Sequence, residues 1–131
     1  MITLEQYFIN HAHTDEHKAA AENLLQRVNS LIEHALVDGL LLTVNPLTDS
    51  YISGKLYGGF RPEGCIVGAK NSAHKLGKAV DVYDPEGLLD AYLTDGKLET
   101  YGLYREHPDA TQGWCHLSTK PPASGNRTFR P

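Results

Sequence analysis

The sequence has few cysteines and no long hydrophobic run. Only Cys65 and Cys115 occur among its 131 residues, too few for a disulfide framework, so we expect both thiols to be reduced and structural. No stretch approaches the ~18 consecutive apolar residues that indicate a transmembrane helix. The first residues also lack the basic region and apolar run of an export signal. We therefore expect no membrane insertion and a cytoplasmic location in the producing cell.

An excess of positive charge is also missing. Lys and Arg number 12 against 16 for Asp and Glu, a net charge of -4 with His neutral. A protein that binds by neutralising nucleic-acid phosphates is usually basic, so we expect no nucleic-acid partner. The length suits one hydrophobic core, and we expect residues 1–131 to form a single domain and a monomer.

Helical periodicity is clearest between Thr14 and Gly39. Apolar residues recur there at helical spacing, which predicts one long amphipathic helix. Thr14 suits the N-cap, and Gly39 can adopt the left-handed conformation that ends a helix. Before this helix "ITLEQYF" predicts a short helix or turn, and after it "LLLTV" predicts a buried extended segment.

The second half of the chain predicts short elements joined by loops. A long loop with short extended pieces is expected over residues 45–71, which are rich in Gly, Pro, Asn and Ser. "KAVDVYD" alternates as a strand with Asp81 away from the core side, and "GWCHLST" alternates with Trp114 and His116 on one face. Between them we expect a helix from about Glu86 to Leu93, a turn at Asp95-Gly96 and then another short helical or extended piece.

Three side chains on these segments are candidate metal ligands. Two imidazoles and a carboxylate form a three-ligand set that leaves zinc one open position, and His74, Asp81 and His116 fit that set. Gly77 lets the chain turn between the first two, and Ser72 is placed to hydrogen-bond nearby backbone or a ligand. Taken alone, the spacing of His74 and Asp81 also occurs in ordinary surface loops.

The same segment carries a longer pattern. Ser72, His74, Gly77, Ala79 and Asp81 reproduce the SxHxxGxAxD motif, so the chain resembles the zinc D-Ala-D-Ala carboxypeptidase family, which includes related phage endolysins. "GGFRP" resembles the family's SGYRP segment, and "GWCH" resembles its closing Trp-x-His. The first residues and the C-terminal region are similar to those of small members encoded by phages and prophages.

The resemblance implies both a fold and an activity. The expected fold is α+β, with a small antiparallel sheet that carries a zinc site and packs against the long N-terminal helix and shorter helices. The expected activity is zinc-dependent hydrolysis of an amide bond in peptidoglycan stem peptides or their cross-bridges. Zinc would be bound by His74, Asp81 and His116. Arg61 would stabilise the developing oxyanion or bind a substrate carboxylate, and Trp114 would line the substrate cleft or anchor the core.

The general base departs from the family pattern. Well-studied members carry a glutamate three residues before the last zinc histidine, where this chain has Gly113. The phage subgroup instead has a Glu-His-Pro or Glu-Asp-Pro segment further upstream, which Glu106 begins here. We therefore expect Glu106 to be the catalytic base, with Asp109 and then His107 as alternatives.

Several interpretations stay open at this point. The enzyme could be a D,D-carboxypeptidase or an endopeptidase, or it could hydrolyse another small peptide. Alternatively the chain is a catalytically degenerate, zinc-containing wall-binding or virion-associated module, which Gly113 favours. An enzyme without an export signal would reach the wall on lysis or as part of a virion.

A second histidine cluster needs a separate explanation. His11, His13 and His17 occur in "HAHTDEH", a spacing that can bind metal on a helix. No third ligand is evident beside His13 and His17, so we expect these histidines to be solvated surface residues.

Overall fold

The computed structural model of the protein describes residues 1–131 and contains four α-helices and one four-stranded sheet. The helices are α1 (Leu4–Phe8), α2 (Asp15–Val37), α3 (Leu88–Tyr92) and α4 (Asp95–Tyr101). The strands are β1 (Ala79–Tyr83), β2 (Tyr104–Glu106), β3 (Trp114–Ser118) and β4 (Thr128–Phe129). No helix has the length and apolar character that crossing a bilayer requires.

The long predicted helix is α2. Thr14 caps it as expected, because its hydroxyl accepts a hydrogen bond from the His17 amide while the His17 ring accepts one from the Thr14 amide. Gly39 has a φ of 95° just beyond its end. The buried residues of α2 belong to one hydrophobic core cluster, which also includes Val80 and Val82 of β1.

The strand order of the sheet is β1-β3-β2-β4. The β1-β3 and β2-β3 pairs are antiparallel, whereas β4 runs parallel to β2. The predicted α+β class, with a small sheet and one long N-terminal helix, is confirmed. The parallel pair makes the sheet mixed, because the end of the chain returns alongside β2 in the same direction.

The loop over residues 45–71 is confirmed, and part of it borders the sheet. Ile52 forms an isolated bridge with Val82. The Ser53 amide donates to the Asp81 carbonyl at 2.8 Å, and the Asp81 amide donates to the Gly58 carbonyl at 2.7 Å. This loop segment therefore occupies the edge of β1 that lies opposite β3.

Two local predictions are wrong. "LLLTV" forms no strand, and Leu41 is 81% exposed, because the loop around Ile52 already occupies the edge of β1. The turn expected at Asp95-Gly96 is instead the start of α4, since the Thr94 hydroxyl caps that helix by accepting a hydrogen bond from the Lys97 amide. The preceding helix α3 is also shorter than predicted.

Candidate metal centre

The predicted site residues lie in a row across the sheet. Asp81 of β1 is in register with His116 of β3. Arg105 of β2 is in register with Leu117, so the next residue, Glu106, lies opposite His116. Glu106 in turn is paired with Phe129 of β4. Because residues in register share a face of a sheet, this row brings together side chains from distant parts of the chain.

Three of the side chains converge on one point. The His116 Nδ1 atom lies 2.9 Å from Asp81 Oδ1, and His74 Nε2 lies 3.3 Å from the same oxygen. One ligand atom from each residue lies within 4.8 Å of the others. Donors at the usual bond lengths of about 2.0–2.2 Å from a tetrahedral zinc ion are about 3.3 Å apart. The three side chains that the sequence predicts as ligands therefore form a group that could hold one metal ion, with a small inward adjustment of the donor atoms on binding.

The orientation of His74 is fixed by two neighbours. The Ser72 hydroxyl accepts a hydrogen bond from the His74 amide at 3.2 Å, which starts the short 3-10 turn Ala73–Leu76. On the ring, Nδ1 lies 2.8 Å from the Gly59 carbonyl oxygen. An Nδ1–H that donates to this carbonyl leaves the lone pair of Nε2 directed towards the metal centre. Ser72 thus positions the backbone of a ligand.

Gly77 makes the turn between His74 and Asp81 possible. Its φ is +75°, in the left-handed region that residues with a Cβ rarely adopt. A Cβ at this position would also lie 2.7 Å from the His17 carbonyl oxygen. The turn that places two ligands on one centre therefore requires glycine.

Asp81 is held as a carboxylate. Burial would raise its pKa, but the imidazoles of His74 and His116 outweigh burial and hold the pKa of this carboxyl well below its usual range. Its other oxygen, Oδ2, lies 3.3 Å from Arg61 Nη2. Arg61 is anchored in turn by its Nε, which donates to the Tyr57 carbonyl oxygen at 2.9 Å. The ligand is thus ionised and held from two sides.

Glu106 is the carboxylate that approaches the metal centre. Its Oε2 lies 4.0 Å from His116 Nδ1, and its side chain is 21% exposed. The two alternatives lie elsewhere, since Asp109 pairs with Arg130 at 3.3 Å and the His107 ring accepts a hydrogen bond from the Asp109 amide. Neither of them lines the cavity at the metal centre.

A cavity of about 540 Å³ surrounds the metal centre. Its walls include all the residues that the sequence predicts for the site: Arg61, Ser72, His74, Asp81, Glu106, Trp114 and His116. Gln112 and Gly113 line a different cavity instead. The position at which the well-studied family members carry their glutamate therefore does not face this metal centre.

Phe129 is a wall of the site that the sequence analysis missed. Its ring is 6.2 Å from that of His116 and nearly perpendicular to it. Only the parallel pairing of β4 with β2 brings it there. No local pattern in "NRTFRP" indicates that pairing, because it joins segments distant in sequence.

The remaining histidines and cysteines form no second metal group. His13 stacks on Phe8 with 3.6 Å between ring centroids, and His17 caps α2. Both cysteines are free. Burial raises the pKa of the Cys115 thiol well above its usual value, so this thiol is kept neutral and unreactive.

Comparisons of the chain with family models, with curated proteins and with solved structures find no match. The function must therefore be argued from the side chains of the metal centre and its cavity.

Proposed function

We propose that the protein is a zinc-dependent peptidase of the zinc D-Ala-D-Ala carboxypeptidase type, which hydrolyses an amide bond in peptidoglycan stem peptides or cross-bridges. One observation carries this proposal. Donor atoms of His74, Asp81 and His116 converge on one point, and the carboxylate of Glu106 lies 4.0 Å from His116 in the same cavity. A ligand set with an adjacent acid-base group is the arrangement that metal-assisted hydrolysis needs.

Zinc is the metal that we assign to this centre. Two imidazole nitrogens and one carboxylate oxygen suit zinc and leave a position open for the reaction. Bound there, zinc would polarise the scissile carbonyl and lower the pKa of the attacking water. The hydrogen bond from His74 to the Gly59 carbonyl supports this assignment, because it fixes the ligand ring.

The chain's own residues supply the remaining steps. Glu106 accepts a proton from the attacking water and delivers it to the leaving nitrogen. The hydroxyl of the water thus becomes part of the new carboxyl group, and the proton ends on the new amine. Arg61 holds Asp81 in place. Its positive charge also stabilises the negative charge that develops on the oxygen of the substrate's scissile carbonyl during the reaction. Trp114 lines the cavity and contacts the substrate.

The setting that we propose follows from the substrate. Stem peptides lie outside the cytoplasmic membrane, and we place the protein in a phage or prophage context. It would reach the wall on lysis or as part of a virion.

A second function is a binding module that keeps the metal and lacks turnover. Gly113 favours it, because the usual glutamate of the family is missing at that position.

One experiment separates these two functions. Purified peptidoglycan fragments are incubated with zinc-loaded protein and with chelator-treated protein, and the products are analysed by mass spectrometry. A peptidase gives fragments that have gained one water, only in the zinc-loaded sample. Intact fragments that stay bound to zinc-loaded protein would instead establish the binding module.

A further inference from the structure

An extended segment without a backbone partner follows the end of α2. Leu40 and Leu42 pack against the hydrophobic core. Leu41 and Thr43 are exposed, so the side chains alternate between core and solvent as they do in a β-strand. The amides and carbonyls of residues 41–44 nevertheless form no backbone hydrogen bond. The core therefore holds this segment extended while the donors and acceptors of a strand edge stay unpaired.

This edge lacks the features that usually protect an unpaired strand. Residues 39–48 contain no charged side chain, although proteins commonly place a lysine or another charge on an exposed strand edge. Leu41, Val44 and Leu47 are all exposed. An exposed apolar edge of this kind is the surface to which an extended peptide adds as a further strand.

A groove of about 220 Å³ lies beside the segment. The segment contributes the side of the groove formed by residues 41–43. The end of β1 and the chain after it contribute Tyr83, Asp84, Pro85, Glu86 and Leu88. Leu41 and Leu88 are both exposed. An apolar side chain of an added strand can therefore be buried against them.

The groove carries charge of one sign. Two carboxylates line it, those of Asp84 and Glu86, and no Lys or Arg does. The oxygens of Asp84 accept hydrogen bonds from the amides of Leu89 and Asp90, both at 3.0 Å. Glu86 is exposed and forms no salt bridge within the protein. A ligand with positive charge beside its apolar side chains therefore complements the groove.

The same charge disfavours a second copy of the chain as the occupant. A two-fold interface sets one patch against itself, so the Glu86 carboxylates of two copies would approach each other. Like charges brought together across an interface lower the affinity. A basic segment of another protein satisfies both the unpaired edge and the free carboxylate.

We propose that Leu41–Val44 and the groove beside them are a docking site for an extended segment of another protein that alternates apolar and basic side chains. The partner segment pairs with residues 41–44 as an added strand. One of its apolar side chains lies between Leu41 and Leu88, and a Lys or Arg pairs with Glu86. None of the metal ligands takes part, so this interaction does not depend on the proposed peptidase function.

The first test uses a synthetic octapeptide that alternates valine and lysine, with a valine-glutamate octapeptide as its control. Calorimetric titration should show saturable binding of the valine-lysine peptide only. In the complex, NMR should show slower hydrogen exchange at alternate amides of residues 41–44, because an antiparallel partner bonds to every second residue. Equal binding of both peptides, binding of neither, or binding without this protection would overturn the proposal.

The second test uses variants of exposed residues, whose folding is checked by thermal unfolding. Leu41→Ser should weaken binding of the valine-lysine peptide about tenfold or more, through loss of apolar burial. Glu86→Gln should weaken it about two- to fivefold, the effect of losing one exposed ion pair. Ile66→Ser and Glu22→Gln, which change an exposed apolar side chain and an exposed carboxylate elsewhere, are the matched controls and should bind normally. Equal affinities of all four variants would overturn the proposal.

Sedimentation without peptide tests the other occupant. We expect a monomer at all concentrations. A dimer that Leu41→Ser abolishes would assign this edge to a second copy of the chain and overturn the proposal.

Discussion

At the scale of single residues, two ligands of the metal centre, His74 and Asp81, each have a neighbour that fixes their position. The Gly59 carbonyl orients the ring of His74, and Arg61 holds the oxygen of Asp81 that faces away from the histidines. Such contacts keep the donor atoms close together before a metal arrives, which lowers the entropic cost of binding it.

Glu106 can be tested separately from the ligands. Glu106→Gln should keep the fold and the zinc but lower turnover by on the order of a hundredfold or more, since an amide cannot carry the proton. Asp109→Asn, which changes an exposed carboxylate outside the cavity, is the matched control and should turn over normally. Steady-state hydrolysis of peptidoglycan fragments measures both. Loss of activity in Asp109→Asn but not in Glu106→Gln would show that Asp109, and not Glu106, is the general base.

The residues of the site differ in how far sequence could identify them. His74 and Asp81 fall within one short motif, so their joint position depends on a local turn around Gly77. Glu106 and His116 belong to different strands, and only the register of β2 with β3 determines that they meet. The motif could therefore indicate two of the ligands, His74 and Asp81, whereas the position of Glu106 beside His116 required the structure.

At the scale of elements, the turn before β1 connects packing to the metal centre. Gly77→Ala should lower the free energy of unfolding by about 1–3 kcal/mol, because alanine is strained at positive φ and its Cβ would meet the His17 carbonyl. Zinc affinity should fall as well, since this turn positions His74 relative to Asp81.

Gly96→Ala is the control for that substitution. Gly96 lies within α4, where an added Cβ meets nothing closer than 3.8 Å. Alanine there should leave zinc affinity unchanged and stabilise the protein by up to about 1 kcal/mol. Urea unfolding and zinc titration measure both effects. Equal stabilities of the two variants would contradict the role of the turn.

A buried tyrosine connects helix α1 to the sheet, and its contribution to the free energy of unfolding depends on pH. The Tyr7 hydroxyl donates to the Ala79 carbonyl at 2.8 Å, and burial raises its pKa well above the usual range. Because the folded-state pKa exceeds the unfolded one, Tyr7 contributes stability below about pH 10 and loses it as pH rises further. Tyr7→Phe should be about 1 kcal/mol less stable at pH 7.

The difference in stability between Tyr7→Phe and the unsubstituted protein should therefore narrow above about pH 10. Urea unfolding from neutral to alkaline pH measures it. Tyr83→Phe, at a half-buried position with no side-chain hydrogen bond, should change little at any pH. A difference for Tyr7→Phe that stayed constant with pH would rule out the proposed linkage.

Elements with strong local periodicity were predictable, and those that depend on distant pairing were not. The apolar spacing of α2 and the alternation of β1 and β3 indicate their types directly. "LLLTV" has strand propensity, yet the edge of β1 that could pair with a strand is occupied by the loop around Ile52. The parallel β2-β4 pair likewise depends on where the chain returns, which no local pattern encodes.

At the scale of the whole molecule, a metal at this centre would link the loop before β1 to two strands. Zinc at a hundred times its Kd should raise the free energy of unfolding by about 2.7 kcal/mol, through preferential binding to the folded state. A chelator should remove that stabilisation, which thermal unfolding with and without chelator measures.

Two variants serve as controls for this measurement. The stability of His116→Ala should not change with chelator, whereas that of His34→Ala, far from the centre in sequence, should fall as it does in the unsubstituted protein. If the unsubstituted protein had the same melting temperature with and without chelator, the metal would make no contribution to its stability.

The most direct test of the metal centre is anomalous diffraction from zinc-soaked crystals, recorded at the zinc absorption edge. We predict one strong peak about 2.0–2.2 Å from His74 Nε2, an Asp81 carboxylate oxygen and His116 Nδ1. Peaks only at surface histidines such as His11 and His13, with none between these three side chains, would contradict both the metal centre and the peptidase function built on it.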